Sequence, residues 1–68
     1  MDYVIYNKID RTCLCLIDGE YLFSNNFNNA VFFWEDNAKH LIEELKKLHP
    51  DQKLIVIEEY KIENFSLI

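Results

Sequence analysis

Residues 13–24 have the sequence CLCLIDGEYLFS, which contains the strongest hairpin signal of the chain. Two apolar runs, residues 13–17 and residues 20–24, flank the dipeptide Asp18-Gly19, which is a strong short-range signal for a β-hairpin. Gly19 is the one glycine of the chain, and it stands where a type I′ turn needs a positive φ. The sequence therefore predicts two antiparallel strands joined by a two-residue turn.

Three more extended segments are predicted outside this hairpin. Residues 3–9 are rich in β-branched and aromatic side chains, as strands are, and residues 30–34 form a similar run. Residues 54–62 begin with a stretch that is apolar on both faces, which is typical of a central strand. The asparagine-rich residues 25–29 predict a loop whose central Phe27 rests on the core.

The apolar period changes after residue 34 to the spacing of a helix. Asp36 is the predicted N-cap, and His49-Pro50 ends the helix because the residue before a proline avoids the α region. One narrow stripe of apolar side chains follows the predicted helix: Ala38, Leu41, Ile42, Leu45 and Leu48.

We therefore expect one α+β domain over residues 1–68. Its element order is β-β-β-β-α-β, with a mostly antiparallel sheet of four to five strands and one amphipathic helix.

Composition excludes several classes of protein. A chain of 68 residues has room for one small domain, and a hydrophobic share of 50% excludes intrinsic disorder. Twelve acidic residues against seven basic ones give a net charge of -5, which argues against direct nucleic-acid binding. The chain shows neither a signal peptide nor an apolar run long enough to cross a membrane, so we predict a cytoplasmic protein.

The predicted sheet has more apolar surface than one helix can cover. Four of its segments carry apolar side chains on both faces, whereas a half-exposed strand should alternate to polar residues. An uncovered layer of this kind exceeds what monomers usually expose, so we expect a homodimer or a complex with another protein. The alternatives are that the apolar tail, residues 63–68, or the protein's own loops cover this face.

The aromatic run at residues 32–34 marks the predicted binding site. Aromatic residues are enriched at interface hot spots, and an acidic rim complements a basic partner. In this interpretation Phe33 and Trp34 are the anchors. The surrounding acidic residues are Glu35, Asp36, Glu58 and Glu59. The alternative is that most of the aromatic run belongs to the core.

Catalytic, metal and cofactor sites are not predicted. Cys13 and Cys15 are too close in sequence for an unstrained disulfide, and we expect reduced thiols that pack as small apolar groups. A zinc site completed by His40 and His49 would match no known ligand spacing. Glu43-Glu44 and Glu58-Glu59 are adjacent pairs whose side chains point apart in any regular element.

The succession of motifs resembles a known size class of proteins. The motifs are residues 3–8, 18–20, 32–33, 38–39, 41–45 and 54–57. Together they resemble short orphan proteins carried by phages and mobile elements of A+T-rich, Gram-positive-type bacteria. That class includes anti-CRISPR and other anti-defence inhibitors.

The resemblance implies an inhibitor of a host machine that handles nucleic acid. We therefore expect a non-enzymatic protein that binds another protein through its aromatic anchor and acidic rim. The partner is expected to have a basic nucleic-acid-binding surface. Mimicry of DNA by the carboxylates is a stronger version of this hypothesis, but the acidic excess is modest for it. The alternative is a structural homodimer or assembly subunit without an inhibitory role.

Overall fold

The computed structural model describes residues 2–58, and these residues form an antiparallel sheet with one helix. The predicted α+β class is confirmed. A short 3₁₀ helix spans Phe27–Asn29. The strands and the α-helix are β1 (Tyr3–Asn7), β2 (Thr12–Ile17), β3 (Glu20–Ser24), α1 (Glu35–Leu48) and β4 (Leu54–Glu58). The expected continuation of the last strand to residue 62 and the tail at residues 63–68 lie outside the described residues.

The described strands have the spatial order β3-β2-β1-β4. β1 is central, and its whole length pairs with β4, from Tyr3 opposite Glu58 to Asn7 opposite Leu54. Its ladder with β2 is short and ends at the pair Tyr6–Cys13. Among the described strands, β3 pairs with β2 alone and β4 pairs with β1 alone, so both are edge strands. The expected central position of the strand that begins at residue 54 is therefore wrong for the described sheet.

The hairpin of β2 and β3 has the predicted turn. Asp18 and Gly19 have φ values of 51° and 79°, and Ile17 pairs with Glu20 across them. Two consecutive positive φ values define a type I′ turn, whose twist matches that of the two strands it joins. The local signal in the sequence was sufficient to fix this register.

The predicted strand at residues 30–34 is wrong as a strand, although two of its residues pair with the sheet. Ala30 forms an isolated bridge to Cys15, and Phe33 forms another to Tyr3. Cys15 pairs with β3 on one edge of β2, and Tyr3 pairs with β4 on one edge of β1. Each bridge therefore uses the other edge of its strand, which is the edge that β1 and β2 turn towards each other. The segment therefore lies between β1 and β2 where they diverge, and it contacts each of them once instead of forming a ladder.

Helix α1 begins one residue before the predicted N-cap. Trp34 is the N-cap and makes no side-chain capping bond, whereas Asp36 lies in the first turn together with Glu35. Acidic charge in the first turn is favourable because it opposes the positive end of the helix dipole. The predicted end is confirmed, since the last helical residue is Leu48 and the His49 N–H donates to the Leu45 carbonyl at 2.9 Å.

Both faces of the sheet are apolar, as predicted. The helix-side cluster consists of Ile5, Leu14, Ile42 and Leu54. The cluster on the far side consists of Val4, Tyr6, Cys13, Cys15 and Ile57. Strand alternation separates the two clusters, because neighbouring residues point to opposite faces.

The far-side cluster is covered without a second chain, so its burial does not require a partner, and pairing with another protein or a second copy stays a prediction. All members of the far-side cluster are buried within this single chain. Phe27 and Ala30 pack against them, and the Phe27 ring centroid lies 6.5 Å from that of Tyr6. The predicted loop contact of Phe27 is thus confirmed, and the chain itself covers the far-side cluster.

The turn allows a first test of the fold. Replacing Gly19 by Ala should destabilise the protein by about 1–2 kcal/mol, because a Cβ is disfavoured at positive φ. An added Cβ would meet no atom of residues 2–58 within 4 Å apart from those of its two chain neighbours, so we attribute the expected loss to backbone strain. Urea unfolding followed by circular dichroism measures the effect.

Asp18→Asn is the matched control, since asparagine tolerates the left-handed conformation. It should leave the free energy of unfolding unchanged within about 0.5 kcal/mol. Equal stability of Gly19→Ala and the unmodified chain would contradict the assigned turn.

Candidate protein-binding site

Helix α1 leaves part of its side of the sheet uncovered. It packs mainly on β1 and β4, at one end of the strand order β3-β2-β1-β4. Strands lie about 4.8 Å apart, so four of them are wider than a helix of about 10 Å diameter. The uncovered part is therefore the region of β3 and of the neighbouring end of β2, where Leu16 is exposed, whereas Leu14 is buried in the helix-side cluster.

A groove of about 430 Å³ lies between α1 and β3. Side chains from the β2–β3 hairpin, the segment before α1 and α1 itself line it, among them Leu14, Tyr21, Phe23, Phe33, Leu41 and Leu45. Leu41 and Leu45 lie on the flank of the apolar helix stripe and are half-buried, whereas Ala38 and Ile42 at its centre are buried. The groove thus exists because α1 packs on β1 and β4 through the centre of the apolar stripe and leaves the flank with Leu41 and Leu45 partly uncovered.

A smaller polar cavity adjoins the groove. It has a volume of about 150 Å³ and is lined by Asn7, Asp10, Phe23, His49 and Gln52. Phe23 and His49 line both cavities, so the two are adjacent. An apolar groove with a carboxylate at one end accommodates an apolar group and a neighbouring cation.

Asn7 organises the polar cavity. Its side chain is buried, its Oδ1 accepts from the Ile9 N–H at 3.0 Å, and its Nδ2 donates to Gln52 Oε1 at 2.7 Å. A longer contact of 3.5 Å reaches Asp10 Oδ2. Asn7 thereby joins the β1–β2 turn to the loop after α1. Sequence reasoning missed this role, although an asparagine at the end of an apolar strand is a known turn signal.

The structure separates the two predicted anchors. Phe33 is half-buried, belongs to the helix-side cluster and lines the groove. Trp34 is 69% exposed and lies at the start of α1. Phe32 is also exposed. Phe33 is therefore part of the candidate site, whereas Trp34 lies outside the groove lining.

Two of the predicted rim residues are near Tyr3. Glu35 accepts from the Tyr3 hydroxyl at 2.8 Å and from Lys39 Nζ at 2.8 Å. The Lys39 hydrogen bond and then the Tyr3 hydrogen bond hold the pKa of Glu35 below its usual value. Glu58 pairs with Tyr3 across the β1–β4 ladder, and its Oε2 is buried without a hydrogen-bond partner among residues 2–58.

The other two rim residues add little to this picture. Asp36 is exposed in the first turn of α1, and Glu59 lies outside the described residues. The structure thus brings Phe33, Glu35 and Glu58 together around Tyr3, at the opposite end of β1 from Asp10 and Asn7. A role for these carboxylates in binding stays a prediction.

No family model, curated protein or solved structure matches this chain. The resemblance to short phage proteins therefore stays a prediction as well. Residues 2–58 contain no helix that is long and apolar enough to cross a membrane. The same residues bring no three His, Cys, Asp or Glu side chains together in a group suited to a metal ion.

The two cysteines are free and buried in the far-side cluster, as predicted for small apolar groups. Their sulfur atoms are 3.7 Å apart. Burial, with a smaller contribution from Cys15, raises the pKa of the Cys13 thiol from 9.0 to about 12. A thiol that stays protonated is a poor nucleophile, and Cys13 packs here as a small apolar group.

Asn7→Ala tests the role of the buried amide. We expect a loss of about 1–3 kcal/mol in unfolding free energy, because the substitution leaves polar partners in the loop unsatisfied. Urea unfolding measures the loss. Asn28→Ala, at an exposed position in the 3₁₀ helix, should change it by less than about 0.5 kcal/mol. Equal effects of the two substitutions would show that Asn7 is not special.

Thiol reactivity tests the burial of the cysteines. Iodoacetamide at mildly alkaline pH should modify Cys13 and Cys15 far more slowly in the folded protein than in concentrated urea, as measured by mass spectrometry. A cysteine introduced at the exposed Asp2 serves as the control and should react readily in both conditions. Comparable rates for all three thiols in the folded chain would overturn the assignment.

The same pKa predicts how stability depends on pH. The folded state holds the Cys13 proton more tightly than the unfolded state, so its contribution is complete below the ordinary pKa of 9.0 and is lost as pH rises towards 12. Cys13→Ala should flatten the alkaline part of the stability profile measured by urea unfolding. An unchanged slope in that variant would contradict the raised pKa.

Proposed function

We propose that this protein acts by binding another protein, without catalysis, and that the groove between α1 and β3 receives an apolar side chain of the partner. The apolar lining of this groove is the observation that supports the proposal. Its volume of about 430 Å³ lies within the usual range for binding pockets. Exposed Leu16, which pairs with Tyr21, extends the apolar surface beyond the groove. Apolar patches of this kind commonly mark sites of protein interaction.

Charge favours a partner that carries a cation beside the apolar side chain. Asp10 is the charged residue that lines the polar cavity, and the chain has a net charge of -5. A Lys or Arg of the partner therefore finds a carboxylate at the end of the groove and an attractive field around it.

The same charge balance supports an inhibitory role. Basic surfaces are characteristic of proteins that bind nucleic acid, and an acidic protein that occupies such a surface blocks access to it. We therefore propose a host nucleic-acid-handling protein as the partner. The free thiols fit the reducing conditions of the cytoplasm, where we place the encounter.

Selection of binding peptides tests the groove. A library of random peptides is displayed on particles and selected on the immobilised full chain. We expect the enriched sequences to share an aromatic residue or leucine next to Lys or Arg. Their affinity, measured by fluorescence polarisation, should fall as salt rises because the cation contact is exposed to solvent. Failure to enrich any common sequence would refute the proposal.

Two matched pairs of variants locate the binding. Leu41→Ala removes a groove-lining side chain, and Asp10→Asn removes the charge; each should weaken the selected peptide about tenfold, equivalent to about 1.4 kcal/mol. Leu48→Ala and Asp51→Asn change the same residue types at exposed positions outside the cavity lining, and neither should affect binding. Circular dichroism verifies that all four variants are folded. Binding that is insensitive to Leu41 and Asp10 would place the site elsewhere.

A further inference from the structure

The outer edge of β3 presents unpaired main-chain groups. Ile17 and Glu20 flank a two-residue turn, so they form a hydrogen-bonded pair. Hydrogen-bonded and non-hydrogen-bonded pairs alternate along an antiparallel ladder, so Leu22 and Ser24 direct their main-chain groups towards β2. Tyr21 and Phe23 direct theirs to the outer edge.

Nothing within residues 2–58 occupies this edge. The main chains of Tyr21 and Phe23 make no hydrogen bond to any described residue outside the hairpin. Tyr21 is 65% exposed and Leu22 is 39% exposed. Edge strands are usually protected by lysine, proline or a bulge, yet β3 is an uninterrupted five-residue strand with the sequence EYLFS.

We infer that two copies of this chain pair antiparallel through β3, about a two-fold axis beside Leu22. In this register Leu22 faces Leu22 of the second copy, Tyr21 faces Phe23, and Glu20 faces Ser24. Both outward-directed residues of each strand are then hydrogen-bonded, which gives four hydrogen bonds across the axis. The arrangement is isologous, so each copy presents and receives the same surface.

The side chains fit the same register. Tyr21 and Phe23 pair with Leu16 and Leu14 and point to the helix side, so the new contact forms two cross-strand aromatic pairs. Leu22 points to the far side and meets its own copy. Acidic Glu20 lies opposite a neutral serine, which avoids like charges facing each other between two copies that each carry -5.

Neighbouring symmetric registers fit less well. An axis at Tyr21 would place Phe23 opposite Gly19 in the turn, and an axis at Phe23 would place Tyr21 opposite Asn25, outside the strand. The axis at Leu22 is thus the symmetric choice that keeps every outward-directed residue of β3 opposite another. This inference concerns the strand edge and does not depend on the groove proposal above.

Engineered cysteines test the register. Residues that face each other in a non-hydrogen-bonded antiparallel pair have Cα atoms about 4.5 Å apart, which is within the range of disulfides. Leu22→Cys should therefore form a disulfide-linked dimer on mild oxidation, seen on a non-reducing gel and by intact mass. Native Cys13 and Cys15 are buried and do not compete.

Glu20→Cys is the matched control on the same strand and the same face. When only this variant is present it should not form a linked dimer, because the introduced cysteine of each copy faces Ser24 of the other copy. It should form a disulfide with a Ser24→Cys chain when the two variants are mixed. Equal cross-linking of Leu22→Cys and Glu20→Cys alone would overturn the register.

Sedimentation over a range of concentrations tests the pairing without cross-links. Tyr21→Pro removes an outward N–H that the isolated chain does not use, and proline is tolerated at such edge positions. We expect it to weaken dimerisation at least about tenfold while leaving the circular dichroism spectrum unchanged. An unmodified chain that stays monomeric at every concentration, with no preferential linking of Leu22→Cys, would overturn the inference and leave the edge open to a foreign strand. The groove proposal is tested separately, by the selection of binding peptides.

Discussion

The sheet is apolar on both faces, but its one α-helix can cover only one of them, and most features of the molecule follow from this mismatch. The far side is buried within the chain, with Phe27 and Ala30 packed against it. The helix side is covered over β1 and β4, where Ala38 and Ile42 are buried. Because α1 is narrower than the sheet, the remaining apolar surface over β3 becomes a groove instead of a packed layer.

The central strand β1 connects these layers. Val4 and Ile5 are fully buried on opposite faces, and Tyr3 and Asn7 at its two ends bind elements outside the sheet. Tyr3 pairs with Phe33 and donates its hydroxyl to Glu35, which fixes the entry of the chain into α1. Asn7 binds Gln52 and so fixes the exit from α1 into β4. Contacts from β1 therefore position both ends of α1. They thereby also position the helix side of the groove.

The sequence was informative wherever structure is determined locally. The positive φ at Gly19, the termination of α1 before Pro50 and the alternation of faces all follow from residues close together in the chain. The insertion of residues 30–33 between β1 and β2 could not be foreseen in this way. It depends on where the ladder between two distant strands ends, at Tyr6–Cys13, and no local pattern encodes that point.

The candidate site was only partly predictable for the same reason. The aromatic run at residues 32–34 predicts a binding site, but extended backbone turns Phe33 and Trp34 in different directions. Of these two residues, only Phe33 contributes to the groove lining. Tyr21 and Leu41 lie 20 residues apart in sequence and meet through the position of the helix over the sheet. Asp10 and Asn7 acquire their role through Gln52, which belongs to another loop.

The open edge and the groove both belong to β3, and this common location connects the two proposals. An antiparallel pair that continues the sheet keeps both copies facing the same way, so both helices and both grooves lie on one side. The two grooves are then adjacent across the axis, with Tyr21 and Phe23 of each copy between them. A partner that offers two anchoring segments at this spacing gains from binding both, because the second contact becomes intramolecular. Pairing of this kind would join the two small apolar surfaces into one larger interface.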